Sequence, residues 1–370
     1  MKETLTIVNY AVNGVGAGHV TRLIAINRWL RRYALQLGLR AEIYFLTSSE
    51  ATSLLFAERF ASFKVPSRTS IEEAGLESPA LLATVRGCVA QALDTLRPDL
   101  LIVDTFPRGY FEELPAVWDA CPRKAFIYRP VKESHARQPE FQEALTHYEL
   151  LLVPEDAEHA PVICPAAIRE RVRHIGPVLV RERDEVPTRA EARRLLGLGD
   201  DELAVYVTAG GGGDPSAEQQ FHFAYEALRD RAGLRLIIGA GPLYRGRRVY
   251  DSRVTWLAHE RAAELMPGFD LAISSAGYNS FNELMHFGVP TIFIPQEKWA
   301  DDQAVRARRA AQAEAALVLE TADGVADLQR ALERWSDRTL LSAAAQAARQ
   351  LVPSNHASAA ARALFELLNL

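Results

Sequence analysis

Cysteine is scarce in this chain: Cys88, Cys121 and Cys164 are the only three, they lie far apart, and they form neither a metal-ligand spacing nor an even-numbered disulfide framework. A reducing compartment fits that usage. Long apolar runs are missing as well. No stretch approaches the roughly 18 residues that a membrane span needs, and Met1-Lys-Glu-Thr-Leu-Thr leads into a strand pattern and not a signal peptide. A soluble, cytoplasmic protein with no transmembrane segment is expected. Positive charge is not in excess: the net charge is −5, which offers nucleic acid no strongly basic surface. No Asp-x-Asp occurs, which removes the usual carboxylate pair for a metal bridging a diphosphate, so neither metal nor cofactor is expected.

What the chain has is length and alternation. At 370 residues and 48% apolar content it is long for one core and comfortable for two domains. Strand patterns over residues 4–10, 41–46, 100–104, 124–128 and 150–153 alternate with helical ones over 19–33, 80–96 and 111–120, which predicts a doubly wound parallel sheet with helices on both faces. Periodicity lapses near residues 175–187, a charged stretch broken by Pro and Gly. It then restarts with a helix at 189–196, a strand at 203–208, a helix at 216–231 and a strand at 235–238. The organisation read from this is an N-terminal Rossmann-like α/β domain over 1–176, a linker over 177–188, a second such domain over 189–352 and a C-terminal helix within 353–370. That helix carries Ala360, Leu364, Phe365 and Leu368 on one face.

Three stretches point to chemistry. Ile273-Ser-Ser-Ala-Gly-Tyr-Asn-Ser-Phe-Asn-Glu283 reads as the end of a strand, a turn at Gly277 and a helix stopped by Gly288, followed by a strand at 291–294. Such a helix start offers unpaired N–H groups and the positive end of a dipole to a phosphate, with Glu283 one turn further on for ribose hydroxyls. The competing reading makes Asn279 or Ser280 an N-cap and Glu283 its capping-box partner. Near the start, Val12-Asn-Gly-Val-Gly-Ala-Gly18 hands His19 to a helix at a strand's C-terminal end, where open α/β sheets bind ligands. A dinucleotide fingerprint is disfavoured there, because its closing glycine position is His19 and the second strand ends in Thr47-Ser48 with no acidic residue. Third, Gly210, Gly211, Gly212 and Gly213 lie between a strand and a helix and allow close backbone approach, while Asp214-Pro215 is unlike a Walker ending.

Gly14-Val-Gly-Ala-Gly-His19, Ser275-Ala-Gly-Tyr-Asn-Ser280-x-x-Glu283 and Asp302-Gln303 together resemble the nucleotide-sugar glycosyltransferases of the GT-B fold. Two branches are similar: the bacterial cell-wall N-acetylglucosaminyltransferases of family 28, and the UDP-glycosyltransferases of family 1 that decorate small natural products. The resemblance spans essentially the whole chain and implies two Rossmann-like domains facing across a cleft, with the C-terminal helix crossing back to the first. It implies His19 as general base, oriented by Asp104 at the end of strand 100–104; a loop-capping role for Asp104 stays open. Donor binding is implied for Gly18, for Gly210, Gly211 and Gly212, and for Ser275, Gly277, Tyr278, Asn279, Ser280 and Glu283. Trp256, Leu257 and His259 correspond to the base and ribose contacts, and Asp302 with Gln303 to the donor sugar, unless those two simply start a helix.

There are departures from the natural-product branch: His259 stands where it has glutamine, Ser275 where it has a phosphate-binding histidine, and Tyr278 where it has tryptophan. The expected activity is inverting, metal-independent transfer from a UDP- or dTDP-sugar to a hydroxyl or amine of a small-molecule or lipid-linked acceptor. A nucleotide-sugar hydrolase or epimerase on the same fold, and a catalytically inactive nucleotide-sugar-binding partner protein, remain open at this point.

Overall fold

The computed structural model describes residues 3–12, 16–76, 79–129, 131–199, 201–257, 262–297, 302–320, 324–335 and 337–370. The chain divides into two compact units, residues 1–180 with 356–370, and residues 181–355.

The first unit holds seven strands: β1 (Thr4–Ala11), β2 (Arg40–Thr47), β3 (Ala61–Lys64), β4 (Leu100–Asp104), β5 (Lys124–Ile127), β6 (Leu150–Val153) and β7 (Val172–His174). They form one parallel sheet in the order β3-β2-β1-β4-β5-β6-β7. β4 reads Leu-Leu-Ile-Val-Asp and is buried throughout, as a strand covered on both faces must be. One face packs on the helix Pro79–Leu96 through Val85, Val89 and Leu93, which recur at helical spacing, and the cluster takes in Val8, Tyr10, Val103 and Phe126. The helix Gly18–Gln36 packs against the closing helix Ala357–Leu367, with the rings of Tyr33 and Phe365 edge to face at 6.2 Å. Strand order reverses between β1 and β4, where a doubly wound sheet opens a ligand crevice at its carboxyl edge.

The second unit repeats the plan with β8 (Leu203–Thr208), β9 (Leu234–Gly239), β10 (Val254–Leu257), β11 (Leu271–Ser274), β12 (Thr291–Phe293) and β13 (Ala316–Val318). Its parallel order is β10-β9-β8-β11-β12-β13, with the reversal between β8 and β11. Val205, Val207, Ile238, Ile273 and Ile292 meet Phe221 of the helix Ser216–Leu228 and Leu328 of the helix Val325–Arg334. Tyr206 stacks on Phe269 with centroids 4.4 Å apart, and Phe281 lies against Phe293 at 5.5 Å.

Most expected elements occur within a few residues of their predicted bounds, with two kinds of exception. The edge strands β3 and β7 had no apolar pattern to announce them: every residue of Ala61–Lys64 is exposed. The helix expected over 111–120 shrinks to a 3-10 helix at Pro115–Ala120. Pro115 cannot donate to a preceding turn, Glu112 takes a positive φ of 60°, and the Glu113 carboxylate captures the Phe111 N–H at 2.7 Å. No helix among the described residues is long and apolar enough to cross a membrane.

Phe365 is buried against the helix that carries His19. Phe365→Ala is expected to lower the denaturation free energy of the first unit by about 3–5 kcal/mol, measured by urea titration.

Candidate functional site

At the β1–β4 reversal Ala11 pairs with Asp104, so the loop after β1 and the carboxylate ending β4 sit side by side. Positions 13–15 of that loop, including Gly14, lie outside the described residues. Gly18 opens the helix Gly18–Gln36, with Ala17 as an N-cap that makes no side-chain bond, and His19 falls in its first turn. His19 Nδ1 lies 2.6 Å from Asp104 Oδ1. Arg22, one turn along, donates from Nε to Oδ2 at 2.8 Å and from Nη2 to Oδ1 at 2.9 Å. Thr105, held at a φ of +67°, donates its hydroxyl to Oδ1 at 2.6 Å, and Phe106 places its ring 5.8 Å from the imidazole.

Asp104 is fully buried. Burial alone would raise its pKa, but Arg22 and His19 outweigh it and hold the carboxyl well below the usual carboxylate range. An ionised carboxylate can only accept, so the proton of the shared bond resides on Nδ1 and the imidazole lone pair on Nε2. Burial is the largest influence on the His19 pKa and lowers it; Asp104 pulls it up by charge and by hydrogen bond, Arg22 and Arg129 push it down, and the net result lies below the ordinary value of 6.5. The ring is therefore neutral at pH 7, and among the described residues Nε2 has no hydrogen-bond partner.

In the second unit the helix Tyr278–Phe287 follows the turn directly, with Gly277 as N-cap and no side-chain cap bond. The capping-box reading of Asn279, Ser280 and Glu283 therefore fails. The first helical bond is Phe281 N to Gly277 O at 2.8 Å, and the amides of Tyr278, Asn279 and Ser280 precede any intrahelical acceptor. Ser275 is buried just before the turn, and Ala276 bends it at a φ of +63°. Gln303 brings its Nε2 to 3.9 Å from where a Cβ on Gly277 would lie, and its Oε1 accepts from the Gln296 N–H at 3.0 Å. Its amide nitrogen is thereby aimed at the turn. Asp302 is exposed and caps its own helix, accepting from Val305 N at 3.1 Å.

Glu283 is largely buried and its pKa is pushed up to about 7 by that burial, against a weaker opposing pull from Arg181. Among the described residues no donor is bonded to its carboxyl. Across the reversal, Gly210 has a φ of +65° and open space where a side chain would be, whereas a Cβ on Gly212, at +78°, would meet Ala240 O at 1.9 Å. The close approach that Gly212 permits is thus to the neighbouring Ala240-Gly241 turn, and Leu243 N donates to Gly211 O at 3.0 Å. Trp256, next to Leu257 at the end of β10, donates Nε1 to Val249 O at 2.9 Å, stacks on Tyr244 and lies 5.4 Å from the Arg248 guanidinium. Its indole is already engaged within the unit. His259 lies outside the described residues.

Several residues escaped sequence reasoning. Arg22 was legible in principle, as a cation inside the apolar stripe Val20, Leu23, Ile26, Leu30 and one turn from His19. Thr105 gave no signal, since a positive φ at threonine is a tertiary constraint. Gln296, which donates to Ser216 Oγ at 2.7 Å, and Gln220, which donates to Thr208 O at 3.1 Å, tie the ends of β12 and β8 to one helix. Neither a loop glutamine such as Gln296 nor a helical one such as Gln220 announces its partner in a single sequence.

Residues 205–362 match the model of the glycosyltransferase family 28 C-terminal domain. Over 188 residues the chain is 29% identical to the UDP-N-acetylglucosamine--N-acetylmuramyl-(pentapeptide) pyrophosphoryl-undecaprenol N-acetylglucosamine transferase of Clavibacter michiganensis subsp. michiganensis, covering 49% of this chain and 51% of that protein. The protein of the same name from Carboxydothermus hydrogenoformans is 28% identical over 137 residues, 35% of this chain and 37% of its own. The chain thus spans about half the length, or less, of the curated relatives it matches. Among solved structures, the calicheamicin glycosyltransferase aligns with a TM-score of 0.66 and 16% identity over 100% of this chain and 99% of its own. Acinetobacter baumannii MurG aligns with a TM-score of 0.60 and 17% identity over 98% and 99%. The chain therefore shares the GT-B fold of these glycosyltransferases, and its residues 205–362 resemble the glycosyltransferase family 28 C-terminal domain.

Proposed function

We propose that this chain is an inverting glycosyltransferase that moves a sugar from a nucleotide diphosphate donor to an acceptor hydroxyl or amine, with His19 as general base and without metal or cofactor. The observation that carries the reading is the fully buried, ionised Asp104 bonded to His19 Nδ1, which leaves a neutral imidazole whose Nε2 lone pair has no partner among the described residues. A base so held takes the acceptor proton as the nucleophile attacks the anomeric carbon, and a single displacement inverts that centre. The departing diphosphate gains charge. The amide edge of the helix Tyr278–Phe287, with the Gln303 carboxamide aimed at its first turn, is the group we assign to stabilise it.

Glu283, a largely buried carboxyl to which no donor among the described residues is bonded, is assigned to the ribose hydroxyls. A UDP-sugar is favoured over a dTDP-sugar by the names of the curated relatives, which match only part of the chain. Metal independence is read from the missing Asp-x-Asp motif. For the acceptor, the relatives' name specifies a lipid-linked pyrophosphate and the structural neighbours are named for small natural products, so both classes belong in the assay.

His19→Ala is expected to lower the transfer rate by about 10² to 10⁴ while nucleoside diphosphate affinity stays within twofold; equal loss of both would overturn the base assignment. In a thermal-shift screen UDP is expected to stabilise the protein, by about 2.7 kcal/mol at 100 times its dissociation constant, more than equimolar dTDP or GDP. Glu283 supplies a pH dependence. Its folded value of about 7 lies above the ordinary 4.5, so its contribution to stability is complete below 4.5 and is lost as pH rises through 7. Without ligand, Glu283→Gln should therefore melt higher than the parent at pH 8, with the gap closing towards pH 5, as read by scanning calorimetry.

A further inference from the structure

Arg22 has no task in the transfer reading, yet the fold goes to some length to bury it. The side chain is 1% exposed, on a helix face otherwise filled by Val20, Leu23, Ile26 and Leu30. A guanidinium removed from water costs several kcal/mol unless its partner and geometry compensate. Here Nε and Nη2 engage both oxygens of Asp104, the planar two-pronged match that distinguishes arginine from lysine. Asp104 thus shares one negative charge between a permanent cation and an imidazole.

The groups facing the His19 ring come from four places. Asp104 ends β4, Thr105 and Phe106 follow it, Arg22 shares the ring's own helix, and Arg129 follows β5. Two cations and one anion therefore act on it. An aspartate alone beside a buried histidine would serve as counter-charge and favour the imidazolium, which has no lone pair to offer.

We propose that Arg22 is a positioning residue for His19: by neutralising Asp104 through both oxygens, it leaves that carboxylate to fix the imidazole tautomer without holding the ring as a cation. Nε2 then stays able to accept a proton at neutral and mildly acidic pH. The functional meaning rests on His19 being the base, but the test separates the two.

The pH titration of the His19 ring is followed by NMR in the parent, Arg22→Met, Arg22→Lys, Asp104→Asn and the Arg22→Met/Asp104→Asn double variant, with the resonance assigned by its loss in His19→Gln. Arg22→Met should titrate upward by about one pH unit or more, the range for an opposite charge in contact. Its acidic limb of kcat against pH should move with it. Arg22→Lys keeps the cation and should stay near the parent, and the double variant, which loses both charges, should return towards it. An unchanged His19 titration in Arg22→Met, with activity lost equally at every pH, would leave Arg22 a purely structural residue and overturn the proposal. Should Arg22→Met fail to fold, Asp104→Asn and the double variant decide. The single variant keeps Arg22 beside the ring and should titrate lower than the double, and equal titrations would overturn the proposal. If the titrations shift as expected but the parent transfers no sugar, the transferase reading fails and the role of Arg22 stands.

Discussion

A carboxylate cut off from water has to be surrounded by donors, and Asp104 concentrates that demand in the first unit. Its oxygens receive an imidazole and two guanidinium nitrogens from the helix Gly18–Gln36 and a hydroxyl from Thr105, the residue after β4. Those donors converge because β1 and β4 are neighbours in register, Ala11 beside Asp104, so a helix leaving β1 passes over the end of β4. The requirement acts in both directions. Without the helix the carboxylate would be buried unpaired, and without the carboxylate Arg22 would be a stranded cation.

In the second unit close backbone approach shapes the carboxyl edge of the sheet. Gly212 and Gly241 let two loops touch main chain to main chain, closer than any side chain would allow. Glutamine amides then brace the carboxyl edge of the sheet: Gln220 to Thr208, Gln296 to Ser216, Gln303 to the Gln296 amide. Gly277 offers the helix Tyr278–Phe287 no side-chain cap, so its first amides lie ahead of any intrahelical acceptor. Glu283, largely buried and with its pKa raised to about 7, lies further along the same helix.

Much of the fold was legible because parallel strands buried on both faces are written as short apolar runs: Leu100–Asp104, Leu150–Val153 and Leu203–Thr208 occur with the bounds their patterns suggested. The edge strands were not, since one side of each pairs with nothing and needs no apolar signature. Residues 111–120 misled because a helical composition was overruled by Pro115 and by the capture of the Phe111 amide by Glu113. Within the sites, glycine and histidine spacing located the loops. Spacing said nothing of what each side chain touches: Asp302 turned to its own helix, Trp256 to Tyr244, and Gly212 to Ala240.

The amino-acid sequence by itself determined the alternation of strands and helices, the division into two α/β halves and the places where loops could receive a ligand, because these follow from periodicity and from the residue types that turns require. Only the tertiary structure decided that Asp104 meets His19 and Arg22 together, that Gln303 is aimed at Gly277, and that Glu283 sits where its carboxyl favours the proton. The physical reason is that hydrogen-bond partnership and desolvation belong to groups brought together from distant parts of the chain. Residues 22 and 104 lie 82 positions apart, and no local pattern couples them.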